Sequence, residues 1–469
     1  MKSGKNYFWI LFPILLILSF GLRIFRINQG LWYDEIITLT KFVRLPWNQI
    51  ITSLPLPNNH ILYSLLAKIS VNIFGESEWS VRLPSLVIGG FTPAIAYLVL
   101  RRRVNEFSAF LTGLFLALSC WPVWFSQDAR GYSGQILFTL LSQFFFLDWM
   151  GNKKSSTLIL YLLSSALSVY FHLYSAFIIM AQIGFGFGQW AGNRKTTQPT
   201  VFIVPILGLI LSSLPYLPGA MGLIYYLGKE GHDLGGRWLD LNLLKDLAGF
   251  FSGAHILPVG IALWAMALFG IRRLFKKRPE ICWLYFLSAA LLVAATLGLR
   301  IFIYARFFSF MIPFFYLSLA IGVDEIVAGW KKSRARSLAR FCLAGLICIV
   351  LGISLLRYYR LGKQGLKDAA GYVEARYPLA EVISLGLARN EFLYYCADAR
   401  PVYGQVPLLP GEVMGKMVVA SHPWSWAPYN QKMLLQFCRL EKIWTSAGYQ
   451  ENAVYLYNCL QKGPPGGAE

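Results

Sequence analysis

The sequence predicts an α-helical polytopic membrane protein, with about 11 transmembrane helices and a small C-terminal α/β extracytoplasmic domain. Two observations give the membrane class. The 469 residues are 56% hydrophobic and only 14% charged, where a soluble domain carries about 25% charge. Eleven apolar stretches are long enough, or nearly so, to cross about 30 Å of hydrocarbon. The third observation gives topology: positive charge gathers in alternate connecting segments.

The stretches are residues 7–22, 83–100, 107–125, 133–149, 155–171, 173–190, 200–218, 256–271, 281–299, 307–323 and 341–356. The N-terminal KNYFWILFPILLILSF, which overlaps the first stretch, has the look of a signal peptide. No small-residue cleavage site follows it and RIFRINQGLW continues directly, so it is expected to stay as the first span. With the N-terminus cytoplasmic, the inner segments are 1–6, 101–106, 148–154, 191–199, 272–280 and 324–340. They hold 19 Lys and Arg against five acids, Glu106, Asp148, Glu280, Asp324 and Glu325, which accounts for +14 of the net +20. Short loops rich in Lys and Arg face the cytoplasm, so the basicity is a topology signal and no nucleic-acid partner is expected. The expected location is the plasma (inner) membrane, with the C-terminal domain outside.

Residues 1–356 form the expected transmembrane domain and 357–469 the outer domain. The first outer loop, about 23–82, is more than a connector. WNQIITSL and HILYSLLAKISVNIF carry apolar residues at helical spacing beside polar ones, as helices lying on a membrane surface do. PLPNN between them breaks the chain with two prolines. The tail alternates helix-like LKDAAGYVEARYP and NQKMLLQFCRL with strand-like EVISLGL, KMVVAS and NAVYLYN. Cys120, Cys282, Cys342 and Cys348 fall in spans as apolar packing residues. Cys396, Cys438 and Cys459 fall in the outer tail, where disulfides are permitted. Cys438 and Cys459 are the candidates for one, which requires α-carbons within about 7 Å.

As drawn, no span carries a charged residue in its apolar interior. The charges of interest sit at the outer ends: Asp34 and Glu35, Asp128 and Arg130, Arg300 and Arg306. A carboxylate close to lipid is costly without a partner or a function. Chemistry is therefore expected at the outer face, on a substrate that arrives in the lipid.

LWYDE after the first span, NNHILYSLLAKI, FGESEWSVRLPS entering the second span and SQDARGYSG leaving the third occur in the order of one family. The chain resembles the GT-C glycosyltransferases of the protein O-mannosyltransferase and aminoarabinose-transferase type, over about residues 10–180. RIFIYARFFSFMIPFFYLSLA is similar to a later family segment. The resemblance implies transfer of a sugar from a polyprenyl-phosphate donor to an acceptor glycan, lipid or protein, with inversion. It places Asp34 and Glu35 at the catalytic centre. A carboxylate can take the proton of an attacking hydroxyl, and the departing lipid phosphate calls for cations. Arg130, Arg300 and Arg306 supply guanidinium forks that match phosphate. His60, Asp128 and Tyr132 complete the expected substrate-binding set. This chain has Ile61, Leu62 and Tyr63 after His60 where many relatives carry prolines.

Each residue has a plainer reading. Asp34 suits a helix N-cap. Glu35 suits a first-turn acid or an arginine partner, and Trp32 and Tyr33 suit interfacial anchors. His60 suits a structural hydrogen bond, Tyr132 packing, and Arg306 snorkelling to headgroups. Asp128 and Arg130 suit a mutual surface pair. No His-x-x-x-His or Cys-x-x-Cys spacing points to a tightly bound metal, and a divalent cation is the one cofactor left open. The competing function is a transporter or lipid-linked-sugar flippase, whose usual marks are repeats, broken helices and midplane charges. A non-catalytic assembly subunit is a third. The topology is directly testable: alkaline phosphatase fused to the C-terminus is expected to be active, and a reporter that works only in the cytoplasm, fused there, to stay dark.

Overall fold

The computed structural model describes residues 7–52, 59–229, 241–254, 256–299, 303–447 and 452–460. The chain forms two compact units. One comprises Met1–Ile27 with Phe42–Leu355, and the other Asn28–Lys41 with Leu356–Glu469. A stretch of the first loop thus packs with the C-terminal part.

The first unit is helical, and the eleven apolar stretches fall almost entirely on helical residues, with 107–125, 173–190, 200–218 and 307–323 each running across two helices. Among the described residues, six helices are long and apolar enough to cross a membrane, seven if one bent pair counts as a single span. Part of the difference is geometric. Phe8–Ile24, Ser155–Phe171 and Ala176–Gly192 have 17 residues each, or about 25 Å of rise. The bent pair, Glu106–Leu118 and Cys120–Ser126, turns by 61°. In the first loop Trp47–Thr52 and Ile61–Phe74 are helices, as their spacing predicts; residues 53–58 of the proline-rich break lie outside the described residues.

The helices reach further than the apolar runs, so the reading of charge-free spans is corrected. Phe8–Ile24 includes Arg23 and Glu78–Leu100 includes Arg82, both fully buried. Arg23 donates to the carbonyls of Leu116 (3.2 Å) and Ala117 (3.4 Å) and to Ser126 Oγ (2.9 Å). Those carbonyls lose their helical partners where the bent pair breaks, so a buried cation stabilises the bend. Arg82 donates to Ile27 O at 2.6 Å.

Four of the segments expected on the cytoplasmic side meet through ion pairs. Arg103 pairs with Asp148, Arg101 with Glu106 (3.1 Å), Arg273 with Glu325 (3.2 Å), and Arg340 Nε with Asp324 (2.7 Å). Segments 101–106 and 148–154 are joined by one of these pairs, and 272–280 and 324–340 by another. Asn105 also donates to Asp324 at 2.9 Å. The four segments therefore share one end of the unit.

The second unit holds a five-stranded sheet of β1 (Val382–Gly386), β2 (Arg400–Val402), β3 (Met417–Ser421), β4 (Arg439–Trp444) and β5 (Val454–Asn458), in the order β2-β1-β3-β5-β4. β1 runs parallel to β2 and β3, and β5 antiparallel to β3 and β4. β1 and β3, buried throughout, are the two most apolar runs of the tail. Leu366–Arg376 and Pro428–Phe437 are the helices their periodicity predicts. Sequence patterning missed β2, three residues with a proline on a sheet edge, and β4, a largely exposed edge strand.

Cys438 precedes β4 and Cys459 follows β5, directly beyond the paired residues Arg439 and Asn458. They form a disulfide with α-carbons 4.4 Å apart. Closing a loop of this length stabilises a fold by about 3 kcal/mol. Cys438 and Cys459 should therefore resist alkylation until reductant is added. A Cys438→Ser, Cys459→Ser variant should lose about 3 kcal/mol in denaturant unfolding of the second unit.

Candidate active site

In the second unit, Tyr33–Thr38 is a helix whose cap position is Trp32, in extended conformation. Asp34 is the second helical residue, so the cap reading of Asp34 does not hold. Glu35 serves the cap instead, its Oε2 accepting the Trp32 N–H at 3.2 Å. Its Oε1 lies 3.3 Å from Lys363 Nζ, with both side chains fully buried. The neighbouring Gln364 accepts the Tyr33 N–H at 2.9 Å. Glu35 is thus both a first-turn acid and an ion-pair partner, of a lysine and not an arginine. Trp32 is buried within the unit, where an interfacial anchor would be exposed.

Asp34 is itself 3% exposed. Around it stand side chains from the tail. The His422 ring lies 5.7 Å from that of Tyr33. Burial lowers the His422 imidazole to about 4, with the Asp34 charge opposing the shift. Glu391 is pushed up to about 7 by burial, an effect Asp34 reinforces and Arg389 and Lys41 oppose. None of Lys363, Glu391 and His422 stood out in the sequence. Each is far along the chain from Asp34, and no local spacing announces the meeting.

The first unit gathers His60, Asp128, Arg130, Tyr132 and Arg306, with His172 added. Asp128 and Arg130 follow the helix Cys120–Ser126. Both are buried. The Arg130 backbone is held by its N–H to Asp128 O (2.7 Å) and by Ser85 Oγ donating to Arg130 O (2.9 Å). Gly131 lets the chain pass close to Ser155–Phe171: a Cβ there would lie 2.0 Å from Phe171 O. Tyr132 packs among Phe125, His60 and His172, with ring centroids 4.7, 5.6 and 5.0 Å away. The Arg130 guanidinium stands 5.8 Å from its ring centroid, and that of Arg306 lies 4.8 Å from the Tyr304 ring. Arg300 lies outside the described residues.

His60 and His172 face each other with ring centroids 4.8 Å apart. His60 Nδ1 lies 3.0 Å from Phe171 O. A carbonyl only accepts, so Nδ1 carries the proton and the buried Nε2 is an acceptor with no hydrogen-bond partner among the described residues. His172 Nδ1 accepts the Tyr174 N–H at 3.3 Å, which places its proton on Nε2. Burial, then Arg130, then His172 hold the His60 imidazole well below its usual range, with a smaller push from Arg306. Burial, then Arg130, then Arg306 lower His172 to about 3. Two guanidinium groups thus act on a pair of neutral imidazoles, and that combination suits an anion carrying hydroxyl or phosphoryl oxygens. The structural hydrogen bond and the free acceptor of His60 coexist. Among the described residues no three His, Cys, Asp or Glu side chains come together as a metal would require.

Residues 58–216 match the family model for dolichyl-phosphate-mannose-protein mannosyltransferases. The structure is similar to that of ArnT from Cupriavidus metallidurans in the apo state: TM-score 0.57, 11% identity, 99% of this chain and 100% of that one. It is similar to the same protein bound to undecaprenyl phosphate: TM-score 0.56, 13% identity, 99% and 100%. It is also similar to the archaeal oligosaccharyltransferase AglB from Archaeoglobus fulgidus, in complex with an inhibitory peptide and a dolichol-phosphate: TM-score 0.56, 12% identity, 97% and 74%. No curated protein sequence matches. The fold is that of the GT-C membrane glycosyltransferases, and the matched segment carries His60, Asp128, Arg130, Tyr132 and His172.

Two predictions follow from the geometry. Lys363→Met removes the lysine partner of the buried Glu35 and should destabilise by about 3–5 kcal/mol; adding Glu35→Gln, which keeps an acceptor for Trp32 N–H, should recover most of it in denaturant unfolding. His172 is neutral when folded and titrates near 6.5 when unfolded. Its contribution is complete above pH 6.5 and falls away as pH drops towards 3. The thermal midpoint should decline over that window, and less steeply in His172→Asn.

Proposed function

We propose that this chain, a membrane glycosyltransferase of the GT-C fold, transfers a sugar from a polyprenyl-phosphate donor to a hydroxyl-bearing acceptor at the outer face of the plasma membrane. The observation that carries the reading is the placement of Arg130 and Arg306 around the neutral His60 and His172, within a fold shared with a protein solved bound to undecaprenyl phosphate. A cluster of cations with neutral hydrogen-bonding partners suits a lipid phosphate. The positive charge of the segments that meet at one end of the first unit supports placing that end in the cytoplasm.

The reaction is a single displacement. The acceptor oxygen attacks the anomeric carbon and forms the new C–O bond. The bond to the phosphate oxygen breaks, and its electron pair leaves with the lipid phosphate. Asp34 takes the acceptor's proton, and Glu35, fixed by Trp32 N–H and Lys363, sets the position of the helix turn that carries Asp34. Arg130 and Arg306 stabilise the charge that develops on the phosphate. Arg300 joins them in the sequence reading. Inversion is the stereochemical outcome of one displacement. The transporter reading loses ground, because Arg23 and Arg82 lie near the ends of their helices, away from mid-helix positions.

General-base catalysis contributes about 10²–10⁴-fold. Asp34→Asn should therefore lower transfer of radiolabelled sugar by at least about 10²-fold while the protein stays folded, since the cap of the helix rests on Trp32 and Glu35. Arg306→Lys should remain impaired, because an ammonium lacks the guanidinium fork. A folded Asp34→Asn protein with wild-type turnover would remove the carboxylate from the mechanism.

A further inference from the structure

The second unit brings together a set of side chains at its strand ends that the donor chemistry leaves unused. From β1 the chain moves to β2 on one side and then to β3 on the other. The carboxyl ends of β1 and β3 therefore flank a topological switch point, the place where open α/β sheets bind ligands. The loops that leave β1, β2 and β3 converge there. Ala388 N–H donates to Ser421 Oγ at 3.1 Å, and Ala427 N–H to Gly404 O at 2.8 Å. Gly386, at φ +101°, permits the approach: a Cβ would stand 2.1 Å from Ser421 O.

The side chains brought to these ends suit one class of ligand. Arg389, after β1, lies with its guanidinium carbon 3.5 Å from the centroid of the Tyr403 ring, after β2. His422, the residue after β3, is buried in the left-handed backbone region at φ 53°, where a non-glycine residue carries strain that marks functional sites. Its ring lies 6.1 Å from Trp424 and 5.7 Å from Tyr33. Tyr403 and Trp424 are 62% and 59% exposed. Glu391 Oε2 is buried with no hydrogen-bond partner among the described residues. The charge is mixed, Arg389 and Lys41 against Asp34 and Glu391, which suits a neutral polyol better than a phosphate. Exposed aromatic rings beside buried hydrogen-bonding groups are complementary to a sugar, with its apolar ring face and hydroxyl edge.

We propose that the carboxyl ends of β1, β2 and β3 form the acceptor subsite and that the acceptor is a neutral, hydroxyl-rich saccharide, held by Arg389, Glu391 and His422 against Tyr403 and Trp424. This rests on the reading of Asp34 as the base for the acceptor's proton. It gives the tail a function: it selects what receives the sugar.

The test uses the full chain in lipid nanodiscs and two sets of probes. Neutral trisaccharides of glucose, mannose and N-acetylglucosamine are followed by saturation-transfer NMR, and undecaprenyl phosphate is followed by its displacement of a radiolabelled sample. The wild type should transfer saturation to at least one trisaccharide. Trp424→Ala and Glu391→Gln, with unchanged circular dichroism, should bind that sugar about tenfold more weakly and undecaprenyl phosphate equally well. No saturation transfer to any trisaccharide, or equal binding by both variants, overturns the proposal. Loss of undecaprenyl phosphate binding in Trp424→Ala also overturns it, by giving that ring to the lipid. A wild type that binds sugar but not undecaprenyl phosphate leaves the subsite standing and counts against the donor reading.

Discussion

The ion pair between Glu35 and Lys363 is the contact on which the second unit depends. Both groups are withdrawn from water, an arrangement stable only when each charge is well compensated. Glu35 meets that condition by also accepting the Trp32 N–H, so one carboxylate fixes a helix start and anchors it to the chain after the last apolar helix. The consequence is that fourteen residues of the first loop, Asn28–Lys41, fold with the C-terminal part. Asp34 is carried on that helix and inherits its position. The tail therefore supplies the surroundings of the acidic motif, through Lys363, Gln364, Glu391 and His422.

The first unit solves a different electrostatic problem. It buries Arg23, Arg82 and Arg130, and backbone carbonyls and aromatic rings are among their neighbours. Arg23 is held by the carbonyls freed at a helix break. Arg130 and Arg306 stand by tyrosine rings, beside imidazoles that stay neutral because burial and those same cations disfavour a further positive charge. A phosphate entering such a site meets guanidinium groups already in place, and preorganised charge of this kind is what stabilises a departing anion.

Much of this was legible in the sequence, and the failures have identifiable causes. Apolar runs located the helices because length and composition decide burial in lipid. Their ends were misplaced where a polar residue stays inside the fold: Arg23 and Arg82 read as loop boundaries but lie in helices, satisfied by carbonyls that no sequence pattern reveals. In the tail the buried strands β1 and β3 were visible as apolar runs, whereas β2 and β4, on the sheet edges, carry no such signal. At the candidate site Asp34, His60 and Arg130 stood out through motif order. His172, Lys363 and His422 did not, because their importance arises from contacts across long separations. Glu35 was the instructive case: the sequence allowed an arginine partner, and the fold supplied a lysine from more than three hundred residues away.

The central claim is that the chain breaks the bond between a sugar and its lipid phosphate and does not simply carry the lipid-linked sugar across the membrane. The most direct measurement uses the reconstituted protein, a polyprenyl-phosphate donor labelled in both sugar and phosphate, and a cell-envelope fraction as acceptor. The account predicts that sugar label moves to the envelope fraction while an equal amount of phosphate label appears as free polyprenyl phosphate. Doubly labelled donor that changes leaflet with its two labels still joined would contradict it.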